Sequence, residues 1–267
     1  MLLSDERVNT GFNSGLEIRL RADSLAFDFG QGVFGPPSEM RKLDDIRKSL
    51  RDPNCTGPDP VYGIAMDVGK TKDATELRDR FLLFGAVAYA SGQLGEEPVR
   101  SQGHIHGVAP HCGCSTPELF EIWEGHAIIY AQESVGDDPG RCIAVEAGPG
   151  DQVVVPPNWA HFVVNASAIE RMVFGALCVR QYSFVYEGVR AHGGLAWFPM
   201  LRDSRIEWNA NPRYLSSDLQ MRRPRSYPEL GLDPTVPIYR QFENNPEKVQ
   251  WVSEPDRAAA VWPTFEP

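Results

Sequence analysis

The sequence predicts an all-β protein, an antiparallel sandwich or barrel, with a helix-containing leader before it and an irregular proline-rich extension after it. Three observations carry this. Residues 81 to about 190 hold FLLFGAVAYA, ELFEIWEG, HAIIYAQ, RCIAVEAG, DQVVVPP, HFVVN and ERMVFGALCV, short runs rich in β-branched and aromatic residues. The breaks between them carry Gly, Pro, Asp or Asn, the residues that close tight turns. No segment of that stretch sustains a helical period, so layered β-structure is expected.

The chain divides into a leader (1–80), a strand-rich domain (81–194) and an extension (195–267). In the leader, SGLEIRLRADSLAFDF alternates as short strands do. PPSEMRKLDDIRKSLRDP follows, where Met40, Leu43, Ile46 and Leu50 recur at helical spacing, with Ser38 as the expected N-cap and Asp52-Pro53 as the stop. A second short helix is expected in ATELRDRF. The extension has many prolines and several aromatics without periodicity, and reads as a wrap over the barrel or a subunit contact. There is no internal repeat.

With 267 residues the chain can bury a large core, and 42% hydrophobic and 23% charged residues are ordinary for a soluble globular protein. No apolar run approaches the roughly 18 residues of a membrane span. MLLSDERVNT reaches Asp5, Glu6 and Arg7 too early for a secretory segment, and five scattered cysteines argue against a disulfide framework. A cytoplasmic protein with reduced thiols is expected. A formal net charge of −10 disfavours nucleic acid and anionic membrane as partners. Any anionic substrate must therefore be held by local groups.

The chemistry concentrates in SQGHIHGVAPHCGCSTPELFEIWEG, residues 101–125. His104 and His106, at i and i+2, share one face of a strand about 6.6 Å apart, close enough for both rings to reach one ion at about 2.1 Å. Glu118 stands six residues before Gly125, and alternation puts Glu118, Phe120 and Ile122 on one face, Leu119, Glu121 and Trp123 on the other. Further on, Gly150, Pro156, His161 and Asn165 follow at spacings of five, four and three intervening residues. His111, Cys112 and Cys114 tempt as a second metal or redox site, but lack a fourth ligand and read as a plain loop. Asn165 is expected to be structural, and Trp159 either walls the pocket or fills the barrel. Arg100, Lys70 and Lys72 are candidate phosphate contacts, solvated surface charge being the default.

These two motifs resemble those of the cupin superfamily, whose fold is a double-sheet antiparallel jelly-roll barrel. The resemblance implies that His104, His106, Glu118 and His161 bind one divalent ion inside the barrel. Two departures stand out: eleven residues separate His106 from Glu118, a long loop for the family, and Asn158 replaces a Gly.

More closely, SQGHIH, PELFEIWEGHA, VVVPPNWAHFVVN and the upstream PPSEMRKLDDIRKSL resemble the cupin-type glucose-6-phosphate isomerases of archaea and some bacteria, over roughly residues 35 to 190. That resemblance implies a metal-dependent interconversion of glucose 6-phosphate and fructose 6-phosphate, or of a related sugar phosphate. Ser101 and Gly103 correspond to phosphate-contacting positions and Tyr186 to a substrate-facing tyrosine. Phe120, Cys178 and Phe184 stand where that family has polar groups, which places the sugar specificity in question. Glu118 is the implied base of an enediolate mechanism, with a hydride shift between C1 and C2 as the rival. Imidazole and carboxylate ligands suit Fe(II), Mn(II), Ni(II) or Zn(II). A homodimer is implied by the resemblance alone. Two other functions share the ligand set: an Fe(II)-dependent cupin dioxygenase and a non-catalytic, metal-containing sugar-binding cupin.

Overall fold

A computed structural model describes residues 12–181 and 183–267; the MLLSDERVNT start lies outside the described residues. The strands that position the site are β1 (Glu39–Arg41), β2 (Tyr62–Met66), β3 (Leu82–Tyr89), β4 (Ile105–His106), β5 (Glu118–Glu124), β6 (Ala127–Gln132), β7 (Cys142–Ala147), β8 (Gln152–Val155), β9 (Ala160–Asn165), β10 (Met172–Val179) and β11 (Phe184–Val185). The hairpin β12 (Trp197–Arg202) and β13 (Arg205–Ala210) and the strand β14 (Leu219–Arg222) follow. One sheet has six strands in the order β8-β5-β10-β3-β2-β1, and the facing sheet has four in the order β9-β6-β7-β14. All pairings within both sheets are antiparallel except β7 with β14. This is the cupin double-sheet jelly roll.

Strict alternation along each strand builds the interior. Val87 and Tyr89 of β3, Phe120 and Ile122 of β5, Ile129 and Ala131 of β6, Ile143 and Val145 of β7, and Phe174 and Ala176 of β10 meet in one cluster between the sheets. The strands nevertheless read as continuous apolar runs, because their outer faces are covered too. Phe84, Ala86 and Ala88 of β3 pack with Leu119 and Trp123 of β5 against Tyr227, Tyr239, Phe242 and Trp251 of the extension. Ile128, Tyr130, Ala144 and Phe162 of the smaller sheet pack against Val189, Leu195 and Tyr214.

The helical turn α1 (Leu43–Ile46) is much shorter than the spacing over Met40–Leu50 predicts, and Ser38 does not cap it. Glu39–Arg41 instead pairs with β2 as an edge strand, and Ser38 Oγ accepts the Phe27 N–H at 3.0 Å. Tertiary pairing of the backbone outweighs a helical preference of a few tenths of a kcal/mol per residue. The turn starts at Lys42, whose N–H donates to Asp45 Oδ2 at 2.8 Å. The second leader helix forms as α2 (Ala74–Asp79).

α3 (Glu187–Ala191) and α4 (Ile238–Asn244) complete the helices that matter here. Seven residues make a marginal helix in isolation. α4 is held by burying Ile238, Tyr239 and Phe242 on the outer face of the larger sheet, each contributing roughly 1.5–3 kcal/mol. Among the described residues, no helix is long and apolar enough to cross a membrane.

Candidate metal centre and substrate cavity

Three strands bring the ligand set together. The segment running into β4 lies antiparallel to β9, so that His104 and His161 face each other as a bridge, with His104 N–H to His161 O at 3.0 Å and the return bond at 2.9 Å. β5 contributes Glu118 from the opposite sheet. Two turns fix these strands in place. Asn158 adopts a left-handed φ of 68°, the conformation that the Gly of the general motif would supply, and its N–H donates to Ser115 Oγ at 3.0 Å. Gly125 ends β5 at φ 76°, where an added Cβ would stand 2.5 Å from Arg171 O.

Side-chain donor atoms of His104, His106, Glu118 and His161 all lie within 4.8 Å of one another, and among the described residues this is the only such group of three or more. Donors on a shared ion at about 2.1 Å stand at most about 4.2 Å apart, so contraction by a few tenths of an ångström suffices. Glu118 Oε2 is the hub, 3.0 Å from His161 Nε2 and 3.1 Å from His106 Nε2. His106 Nδ1 donates to Thr116 O at 3.0 Å, which leaves Nε2 as the lone-pair nitrogen. The Nε2 atoms of His104 and His106 are buried without a hydrogen-bond partner. Such atoms are costly unless something binds them, and three imidazoles with one carboxylate fit a divalent first-row ion.

Electrostatics agree with that donor set. Burial pushes the His104 imidazolium well below its ordinary value, and His161 and His106 add to the effect, so the ring is neutral. Burial alone would raise the Glu118 carboxyl, but the contacts with His106 and His161 outweigh it and hold the group far below the usual carboxylate range. Glu118 is therefore an anion beside the neutral His104 ring.

A cavity of about 140 Å³ opens beside this cluster between the sheets. Its wall includes His104, Glu118 and His161, the phenols Tyr62, Tyr89 and Tyr186, Ser101 and Gln102, and Arg41 ion-paired with Glu39 at 3.1 Å. Phe120 and Phe184 form an apolar side: Phe184 lies 4.2 Å from the His104 ring and Phe120 5.8 Å from that of His161, centroid to centroid. Cys178 does not line the cavity and is fully buried.

Ser101 and Tyr186 thus line the cavity. Ser101 Oγ accepts the Val163 N–H at 3.1 Å. Gly103 does not line it; its φ of 87° shapes the turn into His104, with Leu195 3.3 Å from where a Cβ would be. The cations singled out in the sequence are engaged elsewhere. Arg100 is fully buried and bonded to Glu97 at 2.6 Å, and its guanidinium supports Ser49 O and Ser101 O. Lys70 and Lys72 both pair with Glu243, at 2.6 and 2.7 Å. Arg41, the one Lys or Arg of the cavity wall, was hidden in a segment that reads as helix. Tyr62, Tyr89 and Gln102 were likewise missed; alternation on YGIAM and AVAY is the signal that points the two tyrosines inward.

The eleven-residue loop is absent from the cavity wall. It folds toward the extension, where His111 stacks on Phe81 at 4.4 Å and its Nε2 meets Ser253 O at 2.7 Å. Cys112 and Cys114 are free thiols with their sulfurs 2.9 Å apart. Trp159 belongs to the interior cluster under the Arg141 guanidinium and not to the cavity wall. Asn165 donates to Ala90 O and Glu170 O, a structural role.

The sequence profile of the family described as Glucose-6-phosphate isomerase (GPI) matches residues 41–215. The glucose-6-phosphate isomerase of Thermococcus kodakarensis is 24% identical over 204 residues, 73% of this chain and 97% of that protein. That of Pyrococcus furiosus is 25% identical over 193 residues, covering 70% and 94%. Among solved structures, oxalate decarboxylase from Bacillus subtilis superposes with a TM-score of 0.32 at 17% identity, over 46% of this chain and 27% of that one.

Proposed function

The chain belongs to the glucose-6-phosphate isomerase family, and from that premise we propose that its barrel cavity interconverts glucose 6-phosphate and fructose 6-phosphate with one divalent ion held by His104, His106, Glu118 and His161. The observation that carries this reading is the convergence of four donor side chains within 4.8 Å, with the buried His104 Nε2 lacking any hydrogen-bond partner. When bound, Fe(II), Mn(II), Ni(II) or Zn(II) would supply Lewis acidity to the carbonyl of the open-chain sugar, acidifying the neighbouring C–H.

Glu118 then moves the proton. Its Oε2 is taken by the histidines, which leaves Oε1 as the oxygen for the substrate proton in a residue that lines the cavity. The carboxyl is held far below its ordinary range, so it is ionised at neutral pH but weakly basic, and proton transfer to it depends on the acidified C–H. The proton leaves C2 of the aldose for Oε1 and returns to C1, while the C2 hydroxyl proton passes to the C1 oxygen, giving the ketose. Tyr62 and Tyr89 are raised above the ordinary phenol value chiefly by burial, so they stay protonated and offer O–H groups to the sugar hydroxyls. Arg41, ion-paired with Glu39 at 3.1 Å, is the one Lys or Arg of the wall and would meet the phosphate, with the Ser101 hydroxyl as a further contact. This local cation matters in a chain of net charge −10, whose overall field repels the substrate. Phe120 and Phe184 exclude water beside the metal ligands but donate no hydrogen bonds, so substrate orientation depends on the tyrosines.

The test is a coupled assay for fructose 6-phosphate to glucose 6-phosphate on protein stripped by chelator and reloaded with each ion in turn. Metal-dependent turnover is expected. Protein that holds one ion per chain and turns over with none of the four would refute the isomerase reading and leave a binding-only cupin.

A further inference from the structure

A second, larger cavity lies outside the barrel, where the turn after α1 meets α3 and the segment after β13. It measures about 510 Å³ and its wall carries Arg47, Lys48, Arg51, Arg190, His192 and Arg213, with no Asp or Glu. We propose that this cavity binds a small anion carrying two or more phosphate groups.

Three separate stretches of chain converge there, so the cluster is made by folding and not by a basic run in the sequence. Positive lining of this kind is a local reversal of sign in a chain of net charge −10. Part of the charge is already shared: Arg47 pairs with Asp44, Arg51 with Glu96 at 3.1 Å, and His192 Nε2 meets Asp137 Oδ1 at 3.2 Å, all three carboxylates being well exposed. Lys48, Arg190 and Arg213 have no carboxylate within 4 Å among the described residues, which leaves an excess of positive charge facing the cavity.

Arg190 is held in place for this. Its Nε and Nη2 both donate to Gln102 Oε1, at 3.2 and 3.1 Å, and its guanidinium lies 4.8 Å from the Tyr186 ring centroid. Those bonds fix the plane of the fork and leave Nη1 without a hydrogen bond among the described residues. A fixed guanidinium loses little freedom on binding an oxyanion and presents paired donors to it. Lys48, Arg190 and Arg213, around a cavity over three times the volume of the substrate cavity, suit a ligand with more than one charged group and not a single phosphate.

The proposal does not depend on the isomerase reading, because its readout is binding. Inorganic pyrophosphate is titrated calorimetrically into the full chain, into Lys48→Glu/Arg213→Glu, and into the milder Lys48→Ala/Arg213→Ala. Both residues are exposed, and unchanged circular dichroism checks the fold. Expected is binding to the parent that weakens as salt rises, with at least a tenfold loss in the charge-reversed protein and a smaller loss in the alanine protein. Equal affinity in all three, or no binding to the parent, would overturn the proposal.

Discussion

Glu121 offers a sharp test, because it makes stability fall as pH rises. It stands on β5 beside the catalytic strand face but points outward, into the seam with α4. There it is 2% exposed, accepts Trp123 Nε1–H at 3.0 Å through Oε2 and lies 3.3 Å from the Ile238 N–H through Oε1. Burial is the dominant influence, and despite those two donors it pushes the carboxyl from 4.5 up to about 7. Between these values the unfolded chain releases the proton while the folded chain keeps it. The folded state then binds more protons, so stability drops with pH across this window. At ~1.4 kcal/mol per pH unit the loss reaches about 3 kcal/mol above pH 7. Glu121→Gln cannot ionise, but its amide leaves one of the two donors without an acceptor, a cost of about 1 kcal/mol. Urea unfolding of both proteins from pH 4.5 to 8 should therefore show crossing curves. The variant is expected to be about 1 kcal/mol less stable at the acid end and about 2 kcal/mol more stable at pH 8. Parallel curves, with a difference independent of pH, would refute the argument.

Other outcomes follow from the site and its supports. His161→Ala should lose bound metal and all turnover while remaining folded, since it removes a cavity-lining ligand; metal content by mass spectrometry and circular dichroism check both parts. Activity of the loaded enzyme should decline in acid only below the ordinary histidine value of 6.5, because burial lowers His104; a pH–rate profile with its acid limb above 6.5 would contradict this. Arg100→Met should cost about 3–5 kcal/mol, because it strands the buried Glu97 carboxylate. Adding Glu97→Gln should restore part of that loss, and strictly additive effects in chemical denaturation would rule out the coupling.

The ligand set was legible because its chemistry forces a local pattern. Two rings on one strand face must be i and i+2, and the turns at Gly125 and Asn158 need left-handed backbone, so residue type and spacing both carry the information. The alternation that turned Glu118 inward and Glu121 outward was equally readable from seven residues of β5. Arg41 was not legible, since PPSEMRKLDDIRKSL has a true helical spacing and only the distant β2 backbone converts Glu39–Arg41 into a strand. Arg100 resisted for a related reason. A lone arginine in sequence gives no hint of Glu97, Ser49 O and the Phe162 ring closing round it. Nor does the eleven-residue loop announce that His111 will reach Ser253, well over a hundred residues away.

The extension gives the larger sheet a cover drawn from its own chain. Tyr227, Tyr239, Phe242, Trp251 and Phe265 occupy the outer face of that sheet. They come from beyond residue 215, where the family match stops. A tethered cover forgoes the translational entropy that a separate subunit loses on docking, so the face stays masked at any dilution. The apolar face of the larger sheet is spent inside one molecule and is closed to any other occupant while the cover stays docked.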